Sequence, residues 1–202
     1  MSYDKLKSLV ANVEVIETAM AIHVQGRKAT AEEKEILSRY SGFGGIKEVL
    51  NIGTDKPIGN DMKEPVQRLQ ELIDAYPNFT EPMRHNVMEA IKASVLTAFY
   101  TPQFLIDAIA RQIHDTFSDN GLAMRSFLEP SAGIGGFLPV AMPNTCDYAI
   151  EKDPVSGLIL SLLYDNTITR TTGFETIGEQ EFDHTKFDVI ASNIPFGNFR
   201  VF

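Results

Sequence analysis

Phe127-Leu128-Glu129-Pro130-Ser131-Ala132-Gly133-Ile134-Gly135-Gly136-Phe137 is the stretch on which the fold turns: an apolar run, an acid, and then a cluster of small residues. The run has the composition of a short strand, and the segment that follows reads as the start of a helix. Glycines in a strand-to-helix loop let the backbone adopt positive φ and let a ligand approach it closely. Dinucleotide-binding loops share this feature, but here the strand closes on Glu129 and Pro130. A carboxylate at that point repels a pyrophosphate and favours a ligand carrying positive charge.

About twenty residues on, Tyr148-Ala149-Ile150-Glu151-Lys152-Asp153-Pro154 repeats the pattern of an apolar strand ending in an acid. A carboxylate there can accept hydrogen bonds from both hydroxyls of a ribose, which assigns that role to Glu151; Asp153 caps the helix that Pro154 opens. A cationic group plus a ribose describes S-adenosylmethionine, with Glu129 facing its sulfonium and amino groups. Near the carboxyl end, Phe187-Asp188-Val189-Ile190-Ala191-Ser192-Asn193-Ile194-Pro195-Phe196-Gly197 is a strand running into an amide, a proline and an aromatic ring. The Asn193 side-chain oxygen and the Ile194 carbonyl can accept from an exocyclic NH2 group and leave its lone pair available. Pro195 stiffens the turn, and Phe196 offers a ring on which an extruded base can stack.

Outward from these motifs, short apolar or β-rich runs at 126–128, 147–150, 167–172 and 187–191 alternate with potential helices at 136–141 and 154–164, as in βαβ units with a parallel sheet. Upstream the period is helical. Leu6, Leu9, Val10, Val13 and Ile16 form one face of a helix reaching about His23. Thr30 and Glu33 form a capping box for a helix from Ala31 to about Tyr40, which Gly42-Phe43-Gly44-Gly45 ends as a tight turn. A short helix at 46–50, two helices at 64–75 and 81–98, and a third at 103–117 with Pro102 in its first turn complete the reading. The expected fold is α/β: a helical amino-terminal domain over 1–92, then a partial Rossmann-like parallel sheet over 93–202.

The 202 residues are 44% hydrophobic, and no run approaches the roughly 18 to 20 apolar residues of a membrane span. With no signal-peptide pattern at the start, the expectation is a cytoplasmic protein without membrane contact. Cys146, the single cysteine, reads as a small buried side chain. The four histidines lack metal-ligand spacing, so no metal is expected. Residues 1–96 have a net charge of −2 and residues 97–202 of −7, with no cluster of Lys and Arg for gripping phosphates. If DNA is the partner, most of the grip lies outside these residues.

The order Glu-Pro-x-x-Gly-x-Gly, an acid ending the second strand, and then Asn193-Ile194-Pro195-Phe196 resembles the amino-group methyltransferases, with Ile194 in place of the first proline of Asn-Pro-Pro-Tyr/Phe. Ala98-Phe99-Tyr100-Thr101-Pro102, ahead of the glycine loop, looks like the element that closes over the methionine part of the cofactor in N6-adenine DNA methyltransferases of the gamma arrangement. Leu37-Ser38-Arg39-Tyr40-Ser41-Gly42-Phe43-Gly44-Gly45 and Gly173-Phe174-Glu175 are similar to segments of the large methylase-helicase proteins of plasmids, phages and conjugative elements. The resemblance implies S-adenosylmethionine as cofactor, held by Tyr100, Thr101, Glu129, Pro130, Ser131, Ala132, Gly133, Gly135, Glu151, Lys152, Phe174 and Glu175. It implies Asn193, Ile194, Pro195 and Phe196 as the catalytic set. Relatives often carry an acid where this chain has Gly173, and Glu175 is displaced from that place, while Phe174 can pack on the adenine ring.

The implied activity is methylation of adenine N6 in DNA, in a restriction-modification or mobile-element setting, alongside a helicase or target-recognition domain in a longer polypeptide. About three more strands would complete such a sheet, so the chain alone is expected to bind cofactor weakly and to have little or no activity. Two alternatives stand beside this reading: a non-catalytic binding or assembly module derived from a methyltransferase, and a methyltransferase acting on a protein glutamine or an RNA amine.

Overall fold

The computed structural model describes residues 4–77, 79–98, 100–177 and 186–194. Its contacts divide the chain into two compact units, Met1–Phe99 and Tyr100–Phe202. The boundary expected at 92 lies inside a helix, Glu81–Thr97. Among the described residues no helix is long and apolar enough to cross a membrane.

The first unit is helical. Helix α1 (Lys5–Gln25) is capped by Asp4, whose carboxylate accepts from the Lys7 amide, and it ends at Gly26 in the left-handed region. It buries Leu9, Val13, Ile16 and Met20 at helical spacing, while Leu6 and Val10, expected on the same face, are exposed. Helix α2 (Ala31–Leu37) carries both arms of the capping box: the Glu33 amide donates to Thr30 Oγ1 at 3.3 Å, and the Thr30 amide to Glu33 Oε2 at 2.8 Å. It stops three residues short of Tyr40 because another partner takes over the backbone there. The buried Asn12 side chain accepts from the Ser41 amide at 2.9 Å and donates to the Gly42 carbonyl at 2.6 Å.

Helix α3 (Asn60–Ala75) opens four residues before the expected Glu64 and keeps Pro65 inside it. The missing Pro65 amide forfeits one helical bond, while Val66, Leu69 and Ile73 bury a face on the side of α1. Helix α4 (Glu81–Thr97) closes the unit, with a one-turn 3₁₀ helix at Lys47–Asn51 packed on it. A Cβ on Gly44 would stand 2.4 Å from the Ala98 carbonyl oxygen, so only glycine allows this approach.

The second unit begins with α5 (Gln103–Asp119). Pro102 sits just before the helix rather than in its first turn, and its carbonyl accepts from the amides of Leu105 and Ile106. Strands β1 (Ser126–Glu129), β2 (Cys146–Glu151), β3 (Ile168–Thr171) and β4 (Val189–Ile190) form one parallel sheet in the order β3-β2-β1-β4. Helix α6 (Pro154–Leu163) joins β2 to β3, with Asp153 capping it through the Ser156 amide at 2.6 Å. Phe127, Ala149, Ile106, Phe137, Val140 and Leu160 are among the core of this unit.

Two expectations change here. The helix expected at 136–141 is a single 3₁₀ turn, Leu138–Val140. Two glycines, Pro139 without an amide proton, and a Phe137 amide bonded to Glu129 leave too few bonds for a longer helix. Cys146, expected to be buried, is exposed at the start of β2.

Candidate functional site

Because β1, β2 and β4 are parallel and adjacent, the segments that follow them emerge at one edge of the sheet. The loop after β1 is fastened to β2 by the Ala132 amide, which donates to the Ile150 carbonyl at 2.9 Å. Glu151 reinforces this: its Oε2 accepts from the Gly133 amide at 2.6 Å, and its Oε1 from the Asp153 amide at 2.7 Å. Each oxygen keeps a further lone pair, so these bonds leave acceptor capacity for ribose hydroxyls. Burial pushes the Glu151 and Asp153 carboxyls above the ordinary range, against the pull of their amide partners.

Glu129 is turned inward. It is 1% exposed, and both carboxylate oxygens accept from the Phe137 amide, at 3.1 and 3.2 Å. Burial pushes its carboxyl up to about 8, so at neutral pH it is mostly protonated. Its contact here is with the far end of the glycine loop, while Glu151 and Asp153 lie at the end of β2 beside Gly133.

Tyrosines flank the loop. A Cβ on Gly133, where φ is +56°, would lie 2.9 Å from Cε1 of Tyr100. The Tyr100 hydroxyl meets the Ser156 side chain beside Asp153 and Glu151, and burial raises its pKa above the ordinary range. Taken whole, Tyr100 is 41% exposed, so its outer face is open while its hydroxyl end is enclosed. Tyr164, the residue after α6, packs its ring on Gly135 and donates its hydroxyl to the Gly135 carbonyl at 3.0 Å. Burial, with Glu129 nearby, pushes its phenol up to about 12. Thr101 is half-buried just ahead of α5, and Phe99 lies outside the described residues.

The segment that follows β4 meets the same loop. The Ala191 amide donates to the Leu128 carbonyl at 3.1 Å, and Ser192 Oγ donates to the Ser131 carbonyl at 3.2 Å. Asn193 next to it is half-buried, and Ile194 is 65% exposed. Pro195 and Phe196 lie outside the described residues. After β3, Phe174 and Glu175 fall in a 3₁₀ turn. Glu175 Oε1 pairs with Lys152 Nζ at 2.6 Å, which holds its carboxyl below the usual range. That pair is exposed and far from Gly133 in sequence, yet it joins the ends of β2 and β3. Pro130, Ser131 and Ala132 form the rising part of the glycine loop, with Ala132 buried.

Sequence reasoning missed Ser156, Tyr164 and Ser192. Ser192 stood beside Asn193 in the motif, so a local signal for it was present. Tyr164 reaches Gly135 across 29 residues, and nothing local marks it. Among the described residues no group of three His, Cys, Asp or Glu is arranged to hold a metal ion.

No protein-family model matches the chain, and no solved structure matches it. The chain is similar to the defense against restriction protein B of Escherichia phage P1, at 26% identity over 196 residues. The similarity covers 97% of this chain, both units included, and 6% of that protein, so the chain spans a small part of the length of the relative it matches.

Proposed function

We propose that the chain is the cofactor-binding part of an S-adenosylmethionine-dependent methyltransferase that acts on adenine N6 in DNA, within a restriction-related phage or mobile-element system. The observation that carries this reading is the Ser192–Ser131 hydrogen bond, which ties the amine motif to the glycine loop across β4 and β1. In doubly wound sheets ordered 3-2-1-4, the crevice between strands 1 and 4 is where ligands bind, and the observed order agrees with this. The donor set also fits. Glu151 and Asp153 flank the loop, while Lys152 is paired with Glu175, a set that suits a cationic nucleoside better than a phosphate.

When bound, S-adenosylmethionine supplies an activated methyl group. Glu151 would hold the ribose and Phe174 would pack beside the adenine, while the Asn193 side chain and Ile194 carbonyl would accept the two protons of the target amine and leave its lone pair free for methyl transfer. Phe196 is the ring that would stack on an extruded base. DNA is gripped mostly by parts of a longer polypeptide, in keeping with the acidic charge of this chain.

Titration calorimetry of the chain with S-adenosylmethionine tests the cofactor, and absence of binding rejects it. In a longer polypeptide active on DNA, Asn193→Ala should lower the methylation rate by on the order of 100- to 1,000-fold, the effect of losing a transition-state hydrogen bond. A rate within twofold of the parent removes Asn193 from the site.

A second reading, a methyltransferase-derived module that binds without catalysing, draws on the relative's name, which speaks of defense against restriction and not of methylation. Cofactor binding without methylation of DNA, RNA or protein by any longer form selects it.

A further inference from the structure

Tyr100 was expected only as a wall of the cofactor site, but its contacts put it deeper than a wall. Its ring covers the Gly133 backbone so closely that a single methyl group would not fit between them. Gly133 is also the residue whose amide donates to Glu151. The Tyr100 hydroxyl then reaches the Ser156 side chain, with the Asp153 and Glu151 carboxylates beside it.

Ser156 is itself a buried polar residue, 6% exposed in the first turn of α6; its amide donates to Asp153 at 2.6 Å, and its hydroxyl sits between the Asp153 carboxylate and the Tyr100 hydroxyl. A phenol O–H placed against a serine hydroxyl, with two carboxylates beside it, occupies one of the positions that the vicinal hydroxyls of a ribose would take. Tyr100 lies ahead of α5 and is 41% exposed, so its ring has open space to turn into.

We propose that Ser156 and Asp153 line the sugar-binding end of the nucleoside site, and that Tyr100 is a plug occupying this end until a nucleoside displaces it. The proposal rests on the nucleoside reading above and adds two residues and a displacement step to it. Affinity for a ligand that needs the open form is reduced by the fraction of protein that is open, so loosening the plug should tighten binding. A tyrosine that is only a wall would give the opposite result, because its removal strips contacts from the ligand.

The test is titration calorimetry of the 202-residue chain and its Tyr100→Phe variant with S-adenosylhomocysteine and, separately, adenosine. Phenylalanine keeps the ring and deletes the hydroxyl, so both ligands should bind about fivefold tighter, the effect of one net hydrogen bond no longer competing. Unchanged or weaker binding by the variant, with the parent binding, overturns the plug and leaves the nucleoside reading standing. Binding by neither protein overturns both. A readout independent of affinity is fluorine NMR of the parent labelled with 3-fluorotyrosine. The resonance missing from Tyr100→Phe should move toward the position of free fluorotyrosine as S-adenosylhomocysteine is added, and a resonance that stays fixed while the ligand binds refutes displacement.

Discussion

Each unit contains a glycine cluster with two residues at positive φ, Gly42 and Gly45 in the first and Gly133 and Gly135 in the second, and the two clusters are held in opposite ways. The first is sealed by backbone and by a neutral amide: Gly44 abuts the Ala98 carbonyl, and buried Asn12 bonds to Ser41 and Gly42. The second is bracketed by groups that can turn or titrate: Tyr100 in front of Gly133, Tyr164 against Gly135, Glu151 on the Gly133 amide and Glu129 on the Phe137 amide that follows. Glycine content therefore says little about whether a loop is a joint or a ligand site, and the nature of what holds the loop says more. An immovable carbonyl makes a joint. Side chains with rotamers and protons make a place that something else can occupy.

Parallel alanine substitutions put the largest strain on this contrast. Gly44→Ala drives a methyl group into a main-chain oxygen that cannot retreat without moving α4, and it should destabilise the protein by roughly 3 kcal/mol or more. Gly133→Ala meets only the edge of an aromatic ring that can rotate away, and it adds the strain of a left-handed alanine, so the loss should be about 1–2 kcal/mol. Urea unfolding of both variants measures the difference. Equal losses would mean that Tyr100 is as fixed as backbone, which ends the distinction.

The second effect is one of pH and belongs to the glycine loop alone. The Glu129 carboxyl sits at about 8 when folded and near the ordinary glutamate value when unfolded. Between those values the folded state holds a proton that the unfolded state releases. Its contribution is full below the unfolded pKa and is lost as pH rises through the folded one. Glu129→Gln imitates the protonated acid, with a carbonyl still able to accept from the Phe137 amide, and removes the titration. From pH 5 to 7 the parent should lose on the order of 2 kcal/mol relative to the variant. Glu151 and Asp153 are raised in the same direction and remain in both proteins, so the difference isolates Glu129. A difference that is flat with pH would show that Glu129 is ionised in the folded loop and available to a cation after all.

The sheet was legible because its strands had local signatures: an apolar run closed by an acid at Glu129 and Glu151, the β-branched run of β3, and the motif around Asn193. The capping box at Thr30 and Glu33 was legible for the same reason, since both partners lie within one turn. The failures came from distant partners. Helix α2 ends early because Asn12, some 30 residues back, takes the backbone of Ser41 and Gly42. The segment after Gly136 stays a single turn because Glu129 claims the Phe137 amide. At the site, residue types at strand ends indicated Glu151 and Asn193, but the pattern had no means of showing that Glu129 turns inward or that Tyr164 backs the loop.

Tyr164→Phe makes the smallest and sharpest test of the comparison. Its hydroxyl bonds to the Gly135 carbonyl at 3.0 Å, and that oxygen also accepts from the Leu138 amide at 3.2 Å. Deleting the hydroxyl leaves the carbonyl partnered and the ring still packed on Gly135, so the loss should be near the net worth of one ordinary hydrogen bond, about 1 kcal/mol. Thermal unfolding at neutral pH reads it directly. A loss of 3 kcal/mol would mean that the loop collapses without this bond, as a joint would. A small loss, combined with unchanged affinity for S-adenosylhomocysteine, fits a loop in which Tyr164 supports the back face while Tyr100 and Glu151 govern the front.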